Sequence, residues 1–244
     1  PRPGTGLPFT GPDFEDTRGH GLETGEQGSQ WKDTSSRAYK KELREILESK
    51  RTSEYADLPD WVWKRLVSHV ERYSAAYWIE GAAPTVLKGY VVEWEEEEGA
   101  RPVIQQPTKR SPVMEAIEKK HLDYQKSVGF LTMLPAGHKT RWASRVILVQ
   151  KPKEDPPLGK GGSGRLVCDY RCPNNCCKRK GAVMTPAWTM LRELAAAQLM
   201  TLADAYSGFS HLKLGDVARE MYTISTSLGL AQWLVMPQGP HNAP

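Results

Sequence analysis

Outside one ten-residue window the chain has no cysteine: Cys168, Cys172, Cys176 and Cys177 are its full complement. Thiols clustered in this way make no disulfide framework. Their C-x3-C-x3-C-C spacing, with no histidine nearby, also lacks the C-x2-C pairs of a zinc knuckle. Reduced, unpaired thiols in an intracellular, reducing compartment are the expectation. No apolar run approaches the ~20 residues that a membrane-crossing helix needs, so no transmembrane segment is expected. No Asp-Asp pair occurs anywhere, and position 1 is Pro rather than Met, which leaves organelle targeting open. Charge of one sign is scarce in each half in turn. Residues 1–100 carry 13 basic and 19 acidic groups, whereas residues 101–244 carry 20 basic and 10 acidic groups. The basic later part suits a polyanionic partner, and the acidic front part excludes a uniform nucleic-acid coat.

What is present is enough for a core, with 39% hydrophobic residues and eight tryptophans in 244 positions. Residues 1–37 are the exception. Seven Gly and four Pro fall in the first 28 positions, too little apolar surface to offset the entropy of ordering, so a flexible or partner-held extension is expected. Residues 38–98 form a helical region with a short strand. Tyr39–Lys50 reads as a charged helix with Leu43, Ile46 and Leu47 on one side. Asp57 or Asp60 caps a second helix, with Pro59 near its first turn. Its stripe of Trp63, Leu66, Val67, Val70 and Tyr77, extended by Tyr73 and Trp78, marks core or interface. Gly81 and Pro84 end it, and Val86–Trp94 reads as a strand.

After the acidic step Glu95–Glu98, residues 99–198 begin with an extended crossing to Pro112. A helix over Val113–Lys126 and a return over Val128–Leu134 follow. A hairpin comes next: a strand through Val146–Val149, a Lys/Pro/Gly loop over Lys151–Gly164, and a return strand over Arg165–Tyr170. Pro186–Gln198 reads as a helix. In residues 199–244 the pattern gives a buried strand over Leu199–Ala205, then strands at Met221–Ser227 and Gln232–Met236 joined by a turn at Gly229.

The residue with most chemical interest is Asp204. A carboxylate ending an apolar strand is costly to bury unless it is paired, hydrogen-bonded or bound to a cation. It could hold Mg²⁺, whose oxygen shell takes carboxylates and substrate phosphates. Equally, it could cap the turn at Ala205–Gly208. A two-metal clamp would require further carboxylates.

Five ordered blocks bear on that choice: "GARPVIQQPTKRSP", "WASRVILVQKP", "GRLVCDYRCPNN", "LADAYSGFSHLKL" and "MPQGPHNAP". Together, from Gly99 to Pro244, they resemble the N-terminal fingers and first palm part of a reverse transcriptase of the Ty3/gypsy retrotransposon and retrovirus type. Departures are Arg145 where that family has Pro, Pro173 and Pro240 where it has Leu, and a longer fingers loop. The resemblance implies an α+β fold: a partial right-hand polymerase, with a fingers hairpin and an incomplete palm sheet, preceded by a helical region. It implies RNA-directed DNA synthesis with Mg²⁺ in the complete protein. Asp204 would be the catalytic carboxylate and, with the Ala205 carbonyl, a metal ligand. Lys151 and Arg165 would reach the incoming triphosphate, Phe209 would reject a 2′-hydroxyl, and Gln238 would position nucleotide and template. Asp169 and Arg171 would hold the fingers together. RNA or an RNA/DNA hybrid would be the partner.

The family's Y/F-x-D-D turn is absent, so the expectation is a polymerase fragment inactive alone, with no cofactor firmly expected in it. The other reading is a domesticated, catalytically inactive structural or RNA-associated subunit of a larger assembly. In that role the Trp-rich helix and the palm edge would meet protein partners.

Overall fold

The computed structural model describes residues 31–82, 86–87, 89–152, 156–158, 160, 162–181, 185–195, 197, 202 and 204–243. Helix α1 spans Arg37–Arg51. Ser36 caps it by accepting from the Tyr39 N–H at 3.1 Å, and Lys50 and Arg51 sit at its negative C-terminal end. Helix α2, Asp60–Arg72, starts after Pro59 and carries Asp60 in its first turn. Tyr39 and Leu43 of α1 pack with Val70 of α2, Ile79 and Ala82 into a small separate core. The Arg51 guanidinium spans the helices, lying 5.1 Å from the Trp63 ring centroid and donating to the Leu58 carbonyl at 2.8 Å. The stripe expected to run on to Trp78 stops earlier. Beyond Arg72 the chain makes a 3-10 turn at Ser74–Ala76 and leaves Trp78 outside the helix.

The main sheet has five strands in the order β2-β7-β6-β3-β4: β2 Leu131–Met133, β3 Ser144–Val149, β4 Arg165–Cys168, β6 Ile224–Thr226 and β7 Gly229–Trp233. β3 pairs parallel with β6, and every other neighbour is antiparallel. β3 shows why this segment is a strand. Ser144, Val146 and Leu148 are buried, and Arg145, Ile147 and Val149 alternate outward. A second, two-stranded sheet joins β1, Val91–Val92, in parallel to β5, Lys213–Leu214. Helix α3, Pro112–Ser127, is capped by Ser111, with Pro at its first position where a missing N–H costs nothing. It packs Leu122 onto the sheet, against a core that includes Trp142, Val146, Tyr222, Ile224 and Val235. The fold is thus mixed α+β, a helical region followed by a sheet whose strands come from both sides of residue 199.

Several expected elements differ. The strand read over Val86–Trp94 narrows to the two residues of β1. The strand read from Met221 begins only at Ile224, because Asp216–Met221 forms a short helix, α6. The turn placed at Gly229 lies one step earlier, at Ser227–Leu228. Gly229, with φ +115°, opens β7, so that strand sits three residues before its expected start. An unexpected helix, α4, spans Arg171–Cys176 and holds Pro173 in its first turn, where proline is tolerated. Helix α5 covers Ala187–Leu194. Of the strand expected over Leu199–Ala205, residues 199–201 and 203 lie outside the described residues. Leu202, Asp204 and Ala205 are exposed and irregular rather than buried in a strand. Among the described residues no helix is long and apolar enough to cross a membrane.

Candidate functional site

Asp204 sits in an irregular segment that enters a 3-10 turn at Gly208–His211. A Cβ at Gly208 would make ordinary contact with the Ala205 Cβ at 3.4 Å. Ser207, with φ +50°, is the one described non-glycine residue in the left-handed region, where a side chain crowds the backbone. The turn is tied on both sides. The Leu87 N–H donates to the His211 carbonyl at 2.7 Å, and the Met236 N–H donates to the Leu212 carbonyl at 2.8 Å.

Two adjoining cavities flank this segment. One, of about 680 Å³, has Phe209, Gln238, Tyr124, Trp233 and Cys168 among its lining residues. The other, of about 540 Å³, is lined by Asp204 and Ala205 together with Tyr39, Leu43 and Lys50 of α1. The structure therefore brings Phe209 and Gln238 together, and Asp204 and Ala205 together, in neighbouring spaces. Lys151 and Arg165 line neither. Arg165 is exposed at the start of β4, opposite Val149, and the Lys151 ammonium donates to the Ser163 hydroxyl at 2.8 Å.

Asp169 is buried at the end of β4. It accepts two hydrogen bonds of 2.7 Å from Arg171 and one of 3.3 Å from Arg145. The Arg171 hydrogen bonds outweigh the cost of burial and bring the Asp169 carboxyl down to about 2. In the first cavity, burial pushes the Cys168 thiol up to about 11, so it stays protonated and is a poor nucleophile or metal ligand. The Tyr170 hydroxyl and Trp233 indole N–H are buried beside it without hydrogen bonds of ordinary geometry. Burial, then the Tyr206 hydroxyl, raises the Tyr124 phenol above its ordinary value.

The Mg²⁺ that the sequence resemblance implies meets donors of the right kind, an exposed carboxylate at Asp204 and a neighbouring backbone carbonyl. Their number falls short: among the described residues no three His, Cys, Asp or Glu side chains converge to hold a metal. Sequence reading missed Trp78, Tyr124 and Tyr206, which wall the first cavity. The aromatic residue three before Phe209 was the available signal for Tyr206. Trp78 had none, because it continued a helical stripe.

No protein-family model matches the chain. A "Putative enzymatic polyprotein" of Cassava vein mosaic virus is 27% identical over 126 residues, which cover 52% of this chain and 19% of that protein. Among solved structures, the prototype foamy virus protease-reverse transcriptase superposes with a TM-score of 0.56 at 18% identity, over 83% of this chain and 25% of that one. The foamy viral enzyme in complex with RNA/DNA hybrid gives a TM-score of 0.53 at 18% identity, over 85% of this chain and 25% of the other. The fold is therefore reverse-transcriptase-like and resembles part of a polymerase fingers and palm. The chain spans about a fifth of the polyprotein's length and a quarter of these two foamy viral chains.

Proposed function

We propose that this chain supplies the fingers and first palm portion of a reverse-transcriptase-like polymerase, which engages an RNA/DNA hybrid and, in the complete protein, extends DNA on RNA. The observation that carries the reading is the pairing of Phe209 with Gln238 in one cavity beside the Asp204 turn, within a fold of this kind. The foamy viral enzyme of similar fold was captured with RNA/DNA hybrid, which supports the choice of partner.

In this reading Asp204 and the Ala205 carbonyl would hold Mg²⁺ together with carboxylates supplied from outside the described residues. When bound, the metal supplies charge neutralisation at the phosphates. The chain's own side chains bind and orient. Phe209 presents bulk to the sugar and disfavours a 2′-hydroxyl, while Gln238 offers an amide to nucleotide and template. Arg165 and Lys151, on the β3–β4 hairpin, would bring positive charge to a triphosphate; Arg can bind phosphate through two N–H groups and Lys acts as a compact charge. Asp169 fixes Arg171 and Arg145, which keeps the end of the hairpin in place.

A second reading has its own observation. Helix α5 buries none of its residues, and Trp188, Leu191 and Leu194 stand in solvent. A structural subunit would use such a face against a protein partner. Fluorescence anisotropy of a labelled RNA/DNA hybrid with the 244-residue chain separates the two. Polymerase ancestry in use predicts salt-sensitive binding, weakened roughly tenfold by Arg165→Ala. No binding at low salt would leave the structural reading. In the complete protein, Asp204→Ala abolishes deoxynucleotide incorporation and Phe209→Ala mainly relaxes sugar selection. Incorporation that survives loss of Asp204 refutes its assignment.

A further inference from the structure

The two cavities beside the Asp204 turn share one wall, made by Trp78, Ala82, Phe130, Tyr206 and Ser207. In this wall the Trp78 and Tyr206 rings stack face to face, with centroids 3.6 Å apart and planes within 6°. One ring belongs to the N-terminal helical region and the other to the turn that carries Asp204. The stack therefore lies between the space lined by Asp204 and Ala205 and the space lined by Phe209 and Gln238.

The two jaws are held differently. On the helical side the segment carrying Trp78 is fixed. The Tyr39 hydroxyl donates to the Tyr77 carbonyl at 2.6 Å and accepts from the Ile79 N–H at 3.2 Å, while the Trp78 indole N–H donates to the Ala82 carbonyl at 3.3 Å. Tyr39 itself is buried in the small core. On the turn side, Tyr206 is followed by Ser207 in the left-handed region, which a residue with a side chain occupies at a cost. Tyr206 and Trp78 both remain partly exposed, at 44% and 36%. A fixed ring thus meets one on a strained, half-exposed turn, an arrangement that can open without dismantling either core.

We infer that the Trp78–Tyr206 stack is an aromatic gate, through which the N-terminal helical region holds the Asp204 turn closed and keeps Asp204 apart from the Phe209–Gln238 cavity. Opening the stack merges the two spaces, so that one ligand can touch both sets of residues. The consequence for ligand binding rests on the reading of Asp204, Phe209 and Gln238 as one nucleotide site; the gate itself does not.

Two measurements on the 244-residue chain keep these apart. The first is hydrogen exchange of residues 204–211, read by mass spectrometry. Trp78→Leu and Tyr206→Leu each speed exchange roughly two- to tenfold, the factor set by the stabilisation of a stacked aromatic pair. Tyr206→Phe, which keeps the ring and loses only the hydroxyl that faces Tyr124, speeds it less than either leucine variant. Unchanged exchange in both leucine variants overturns the gate, as does a Tyr206→Phe rate equal to theirs. The second is binding of deoxyadenosine triphosphate with Mg²⁺, which tightens in the leucine variants by a similar factor. Faster exchange with unchanged, measurable binding means that the stack is a tie and not a barrier, and that overturns the gate. Faster exchange with no nucleotide bound by any form upholds the gate and refutes the nucleotide site.

Discussion

Replacing Glu118 by Ala should destabilise the fold more than any other single change to an ionisable residue considered for this chain. Glu118 lies on the inner face of α3, completely buried. One carboxylate oxygen pairs with the Arg110 guanidinium, which is itself only 5% exposed at the side chain. The other accepts from the Ser227 N–H at 3.0 Å, and Arg110 in turn donates to the Val146 carbonyl. The pair thereby joins the segment before α3, the helix, strand β3 and the β6–β7 turn. Burial already lowers the Arg110 pKa below its ordinary value. With Glu118 gone, the guanidinium would be left buried and unpaired, which costs about 3–5 kcal/mol. An orphaned Ser227 N–H adds about 1–3 kcal/mol where water cannot reach it. For a domain of ordinary stability, about 5–15 kcal/mol, such a loss consumes a large fraction of the total. Urea unfolding followed by circular dichroism measures it. The control is Arg110→Met with Glu118→Leu, which removes both charges together and should recover most of the loss, since a buried pair is rarely worth more than well-packed apolar groups. A Glu118→Ala cost of under about 1 kcal/mol, or a double variant no better than the single one, refutes the reasoning.

Asp169 gives the chain an acid-sensitive tie. Its folded pKa of about 2 lies below the unfolded value of 3.8. Its contribution, about 2 kcal/mol by linkage, is therefore present above pH 4 and lost as pH falls through about 2. The difference in unfolding free energy between the native chain and Asp169→Asn should be largest near neutrality and shrink through that window; a difference independent of pH between 6 and 2 contradicts it. Gly239 has φ +113°, and a Cβ there would meet the Tyr170 ring at 3.2 Å. Gly239→Ala should therefore cost about 1–3 kcal/mol in denaturant unfolding, and no measurable loss would contradict the geometry. Trp188 on α5 is 75% exposed, so Trp188→Ala should change unfolding free energy by less than about 0.5 kcal/mol. A loss of several times that size would mean that this side chain is packed in solution.

Local signals carried much of the fold. α1 was legible because Leu43, Ile46 and Leu47 fall on one side of a charged run, whereas the serine caps of α1 and α3, Ser36 and Ser111, went unread. The β3–β4 hairpin was legible from β-branched alternation on either side of a Gly- and Pro-rich loop. What failed lacked a local cause. α4 contains a proline and no apolar repeat, and its Asn174 is held by partners from distant segments. β7 was read late because Gly229 looked like the turn, whereas the turn falls on Ser227 and Leu228 and the glycine supplies the first strand residue's unusual φ. Glu118 did leave a trace. It stands four residues before Leu122 on the apolar face, where a carboxylate implies a buried partner, but the sequence alone could not show that the partner was Arg110.

The candidate site divides along the same line. Its blocks were recognisable one by one, yet the geometry shows that part of each block serves to hold another. Asn174 of "CDYRCPNN" donates to the Gly239 carbonyl at 2.9 Å and accepts from the His241 N–H at 3.1 Å, both in "MPQGPHNAP". The Tyr222 hydroxyl donates to the same amide oxygen at 2.9 Å. Asn242 closes the contact by donating to the Lys178 carbonyl at 2.8 Å. Two segments more than sixty residues apart in sequence are thus one hydrogen-bonded unit, and the exposed Gln238 beside it is among the residues that line the Phe209 cavity. The residues that make the blocks recognisable therefore include scaffold as well as candidate chemistry. Asp204 differs from Asn174, Asp169 and Gly239 in standing on an exposed, strained turn held by an aromatic contact from another region. A scaffold residue gains from being enclosed, and a ligand-binding one from being reachable, so the exposure of Asp204 is what a binding role requires of it.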